Sequence, residues 1–285
     1  MASPRRNSLL ALLVAIVLLV VGAGWLVNKI TSSVTMVVPP AEQCTVSVGE
    51  VSDTLSLEQS ENAAIIVAES IRRGLPARAA SIALATAKQE SKLRNIDYGD
   101  RDSVGLFQQR PSQGWGTVEQ IMDPWYSTGK FYDGLVKVPG WESGDINDVA
   151  QEVQKSGVPE GYRKHVEVSK AWASALTGHS PATVSCIDRR TEAPSTNLAE
   201  TLLTRAFNGS VKHSQGQARL TLNSANQQQL WAATQLTLTT TRQTGITGVA
   251  VGQRTLTLKG DELAQWTATS AGQEKPTEAT ITLRA

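Results

Sequence analysis

A chain of 285 residues with 40% apolar residues is long enough for an anchor and two modest globular units, and too short for a large assembly. Its 27 lysines and arginines stand against 26 aspartates and glutamates, a formal charge of +1, with only 5% aromatics. That balance supplies no basic stripe to track phosphates and release counterions, which argues against a nucleic-acid partner.

Residues 9–27, LLALLVAIVLLVVGAGWLV, carry no charge. At about 1.5 Å per residue they suffice for a hydrocarbon core of roughly 30 Å, so the sequence predicts one transmembrane helix. Arg5 and Arg6 precede it, and the positive-inside tendency then keeps the N-terminus cytoplasmic and everything later outside, a single-pass plasma-membrane protein. The alternative is a cleaved signal peptide. That needs a shorter apolar run and a small-residue cleavage site close behind it, whereas Trp25, Leu26, Val27, Asn28 and Lys29 stand here. Pro39 and Pro40 suit a short stiff spacer, completing an N-terminal segment 1–43.

Only Cys44 and Cys186 occur. Outside the membrane a disulfide is the default reading, with two free thiols as the alternative. They bracket a first unit, 44–186. The polar stretch 187–196, containing Pro194, reads as a linker to a second unit, 197–285.

The first unit reads as mainly helical. Ser56 with Gln59 gives a capping-box signature, followed by Ala64, Ile65, Ala68 and Ile71 at helical spacing and a stop at Gly74. Pro76 then opens a second helix. Its apolar stripe, Ala79, Ile82, Ala83, then Thr86 or Ala87, runs on to Glu90 near the C-terminal end. A carboxyl there is pushed toward its neutral form twice over, by desolvation and by the negative end of the helix dipole. Such a group is a candidate general acid; the competing reading is an ordinary surface glutamate, or one paired with Arg94. Gly99 and the aspartates of NIDYGDRD predict a turn or short hairpin before GLFQQ, and 145–156 and 160–176 read as two helices parted by Gly157 and Pro159.

The run IALATAKQESKL followed by GLFQQ resembles the motif of soluble lytic transglycosylases and goose-type lysozymes, in which Glu-Ser ends a helix and Gly-Leu-(Met/Phe)-Gln follows. The longer run through RPSQGWG and QIMDPWYSTGKFYDGLVKVPGW also resembles a group of actinobacterial extracytoplasmic proteins with a lysozyme-like domain, across most of 44–186. The resemblance implies that Glu90 is the general acid/base, with Ser91 beside it and Gly105, Leu106, Phe107 and Gln108 lining a sugar cleft. It implies a glycosidase, hydrolase or lyase, acting on the β-1,4 link between N-acetylmuramic acid and N-acetylglucosamine, with peptidoglycan glycan strands as partner and no cofactor. A lysozyme route adds a second carboxylate, for which Asp97, Asp100 and Asp102 are candidates; their other reading is turn chemistry. The transglycosylases' Ala-Tyr-Asn signature is missing. The corresponding region reads DVAQEVQKSG, so Gln151 or Gln154 is expected in the tyrosine's place. Tyr98, Phe107, Trp115, Trp125, Tyr126 and Tyr132 are either core or cleft, and Trp115, between Gly114 and Gly116, is the expected sugar-stacking ring.

The second unit opens with the helix NLAETLLTRAFNG. Strand-leaning pieces follow at 218–222, 248–258 and 279–283, whereas SANQQQLWAATQLTLTTTR has helical spacing first and a threonine-rich, strand-prone tail. The predicted class is therefore α+β: an N-terminal transmembrane helix, a mainly α lysozyme-like domain, then a small α+β domain. His165, His179 and His213 are scattered without a metal-ligand pattern. HSQGQARL, from His213, resembles the zinc motif of D-alanyl-D-alanine carboxypeptidase-like peptidases, but Leu220 stands where the resemblance places an aspartate, implying a degenerate, metal-free and non-catalytic module. Two functions remain: a membrane-anchored peptidoglycan-cleaving enzyme, or a non-catalytic peptidoglycan-binding or scaffolding protein of the cell envelope.

Overall fold

The computed structural model describes residues 4–33, 40–268 and 276–284. Contacts divide the chain into two units, 1–39 and 40–285.

The first unit holds α1, Pro4–Ser33. The expected span over 9–27 is corrected here: among the described residues no helix is long and apolar enough to cross a membrane. The single-pass plasma-membrane placement and the transmembrane part of the fold class fall with it. What stands is an α+β chain, 46% helical and 18% strand.

The second unit begins with a hairpin of β1 (Gln43–Val48) and β2 (Val51–Ser56). The helices follow: α2 (Leu57–Arg72), α3 (Ala77–Ser91), α4 (Val118–Ile121), α5 (Pro124–Leu135), α6 (Ile146–Gln154) and α7 (Val166–Leu176). The Ser56–Gln59 capping box closes in both directions at the start of α2, leaving neither backbone donor orphaned. β3 (Val184–Ile187) returns to β1, giving an antiparallel sheet in the order β2-β1-β3. Register sets Cys44 opposite Cys186, and the two form a disulfide. These strands escaped the helical reading because each is short, at four to six residues.

α3 is the centre of this part and packs against α2, α5, α6 and α7. Its alanines, Ala79, Ala80, Ala83, Ala85 and Ala87, are fully buried and let the neighbouring backbones come close. The chain from 160 to 176 is not one helix as expected. Gly161 and Tyr162 turn inward, a 3-10 turn follows at Arg163–His165, and only then does α7 begin.

The remaining elements are α8 (Asn197–Phe207), β4 (Lys212–Gly216), β5 (Arg219–Asn223), α9 (Gln227–Leu238), α10 (Thr241–Thr244), β6 (Ile246–Val251), β7 (Arg254–Thr257), β8 (Thr267–Ala268) and β9 (Glu278–Leu283). The strands form an antiparallel sheet ordered β4-β5-β9-β6-β7-β8. The ambiguous threonine-rich stretch is helical. Thr234 and Thr237 donate to the carbonyls of Leu230 and Ala233 one turn back, so their buried hydroxyls are satisfied without a sheet. The stretch 187–196 lies inside the 40–285 unit. Across it α8 packs on α2, and buried Gln235 of α9 donates to the Ala175 carbonyl at 2.6 Å while accepting from the Thr183 amide at 3.0 Å.

Candidate active site

Glu90 is the penultimate residue of α3, where Lys92 and then Leu93 take left-handed backbone (φ 55° and 59°) and turn the chain away. The Leu93 amide reaches back to the Ala87 carbonyl at 3.0 Å, so the helix end that carries Glu90 is closed by its own backbone. Glu90 Oε1 accepts a 2.7 Å hydrogen bond from the hydroxyl of Tyr162, which is 0% exposed. Burial pushes the Glu90 carboxyl above its ordinary 4.5, against the lowering effect of the Tyr162 hydroxyl and the Gln154 amide. Burial, and then the charge on Glu90, raise the Tyr162 phenol in turn, so it remains a donor.

The Gly105–Gln108 loop is locked to the end of α3. Ser91 Oγ donates to the Leu106 carbonyl at 2.7 Å, and the Gly105 amide to that of Ile96 at 2.7 Å. Gly105 has φ +79°, and a Cβ there would lie 2.8 Å from the Ile121 carbonyl oxygen, so the loop requires glycine. Phe107 stacks on Phe131 with centroids 4.7 Å apart, and Gln154 Nε2 donates to the Phe107 carbonyl at 2.8 Å.

In front of this lies a cleft of about 730 Å³, whose walls include Glu90, Asp100, Arg101, Gln108, Gln109, Arg110, Trp115, Gln154 and Lys155. Of the residues expected to bind substrate, Gln108, Trp115 and Gln154 share the cleft with Glu90. Ser91, Gly105, Leu106 and Phe107 are buried and brace the wall from behind. Gln151 turns its amide to the Ser156 carbonyl. Asp102 is committed elsewhere, accepting from Arg110 Nε at 2.7 Å and from the Ser112 amide at 2.8 Å; these bonds hold its carboxyl well below the usual range. Asp97 and Asp100 are both exposed, and of the two only Asp100 lines the cleft beside Glu90.

Trp125 and Tyr126 line a separate groove of about 570 Å³ with Arg205, whose guanidinium lies 4.4 Å from the Trp125 ring. Tyr132 is buried and donates to the Ile66 carbonyl, and Tyr98 is exposed. His165 contacts Gln89 at 3.2 Å, and burial together with Lys164 and Lys88 brings its imidazole down to about 4, so it is neutral at physiological pH. His213 sits on the outer strand β4 opposite Leu222, and Leu220 is fully buried.

Tyr162 is the site residue that sequence reasoning missed. It was sought inside α6, but it arrives after the Gly157–Pro159 break. The available signal was that it is the only tyrosine after Tyr132, next to Gly161. Arg101, Gln108 and Lys155, three cleft residues other than glycine, hold left-handed backbone at φ 56°, 47° and 51°. Such conformations are costly away from glycine and gather where function holds them. The sequence matches no protein-family model and no curated protein.

Proposed function

We propose that the chain cuts the β-1,4 link between N-acetylmuramic acid and N-acetylglucosamine in peptidoglycan glycan strands, with Glu90 as general acid and then general base. The observation that carries this reading is one carboxyl, raised by burial at a helix C-terminus, bonded to a buried tyrosine and opening on a polar cleft with an indole in its wall. A proton donor to a glycosidic oxygen must be neutral near working pH, and desolvation pushes Glu90 in that direction. Tyr162 occupies Oε1, leaving Oε2 to carry the proton.

Glu90 protonates the leaving oxygen as the bond to C1 breaks, and the substrate's acetamido group supports the oxocarbenium-like centre. The resulting carboxylate takes the proton of the 6-hydroxyl as that oxygen closes on C1, giving a 1,6-anhydro end. This one-carboxylate route is favoured because Asp102 is bound to Arg110 and Ser112. A hydrolytic outcome assigns the activation of water to Asp100.

Purified sacculi digested with the full chain and with Glu90→Gln, the released ends being weighed by mass spectrometry, test the reading. Anhydro ends that vanish in the variant support the lytic route and reducing ends the hydrolytic one. Binding to sacculi with no release by the wild type would support the scaffolding alternative and end the enzymatic reading.

A further inference from the structure

Three cations lie on the wall of the Glu90 cleft: Arg101, Arg110 and Lys155. Arg110 is occupied, its Nε on Asp102 and its Nη2 on Ser112. Arg101 has only its sequence neighbour Asp100, 3.9 Å away, and both side chains are well exposed, at 71% and 91%. Lys155 forms no ion pair among the described residues, and its backbone amide merely closes α6 on the Gln151 carbonyl. With Asp102 cancelling Arg110, the wall carries Arg101 and Lys155 against Asp100 and Glu90, whose carboxyl burial pushes toward its neutral form.

Both cations also hold left-handed backbone, a conformation shared among the described residues by Gln108 in the same cleft and by Lys92, Leu93, Ala182 and Asn208 outside it. Arg101 (φ 56°) and Lys155 (φ 51°) are left-handed, and Lys155 stands directly after α6, where glycine or asparagine is the inexpensive choice.

We infer that Arg101 and Lys155 recognise a carboxylate on the glycan, the acidic substituent borne by each N-acetylmuramic acid, and so distinguish muramic glycans from neutral polymers of N-acetylglucosamine. This rests on the glycan reading proposed above. The shared chemistry is a carboxylate, supplied by the lactyl ether itself or by the peptide attached to it. Cations on the cleft wall also fix which sugar faces Glu90, because only alternate sugars carry the charge.

Calorimetric titration of the full chain carrying Glu90→Gln, which keeps the ligand intact, tests this. The ligands are chitohexaose, a peptide-free muramic oligomer of equal length, and its peptide-bearing form. At low salt we expect a muramic ligand to bind about 10-fold tighter than chitohexaose. Arg101→Gln with Lys155→Gln abolishes that advantage, Arg101→Lys with Lys155→Arg restores it, and affinity for chitohexaose is unchanged by either pair. An advantage present without peptide assigns the lactyl carboxylate, and one confined to the peptide-bearing ligand assigns the peptide. Equal affinity for chitohexaose and both muramic ligands, or an advantage that survives the double glutamine variant, overturns the inference and leaves the Glu90 reading standing. Failure of all three ligands to bind overturns both.

Discussion

In the region from α8 to β9, most buried threonines close on the backbone of their own helix or turn. Thr234, Thr237, Thr239, Thr240 and Thr244 each donate to a carbonyl three or four residues back, and Gln235 uses both ends of its amide on neighbouring backbone. The helical region that carries Glu90 behaves differently. The buried side-chain atoms without a hydrogen-bond partner among the described residues all fall between Glu61 and Ser185, and those of Gln109 and Gln154 belong to residues of the cleft. Unused bonding capacity inside a protein costs about 1–3 kcal/mol per group. Gln109 and Gln154 place part of that unused capacity at the cleft, and the contrast marks the Glu90 region as the less fully satisfied of the two.

The largest expected effect is on catalysis. Glu90→Gln should lower glycan cleavage by about 10²- to 10⁴-fold in a sacculus-clearing assay, and retained activity would break the contrast. The same substitution should stabilise the fold at neutral pH. Because the folded-state pKa of Glu90 lies above the ordinary 4.5, the folded chain holds a proton that the unfolded chain has released. Stability therefore falls as pH rises from 4.5 through the folded value, and stays lower above it. The gain in Tm from Glu90→Gln should be present at neutral pH and vanish below 4.5.

Next comes the bridge. Cys44→Ser with Cys186→Ser opens a loop of 142 residues and should cost about 3–5 kcal/mol in denaturant unfolding. Tyr162→Phe removes the bond to Glu90 Oε1 and with it a lowering influence on the carboxyl. Cleavage should drop by about 10-fold, while the alkaline limb of its pH profile moves to higher pH. The smallest effect is a gain. Lys155→Gly relieves a left-handed backbone at the end of α6 and should stabilise the fold by about 1 kcal/mol in thermal unfolding.

Much of this site could be read from residue order because its parts are local. The stripe from Ala79 to Glu90 follows helical spacing, and the Gly105–Gln108 loop follows within one short stretch. The rest depends on long-range packing. Tyr162 reaches Glu90 across 72 residues, and nothing in its neighbours announces that contact. β1, β2 and β3 gain their meaning only when residues 43 and 187 meet. Threonines 237 to 244 carry strand propensity, and tertiary burial with backbone-bonded hydroxyls overrides it. The segment 9–27 has the composition of a span, and composition there outran what the described helix supports.

The most direct test is a site-resolved ¹³C NMR titration of the Glu90 side-chain carboxyl in the full chain. The account predicts a midpoint above the ordinary 4.5 that rises further in Tyr162→Phe. A Glu90 that titrates at or below 4.5, unmoved by loss of the tyrosine hydroxyl, would contradict it.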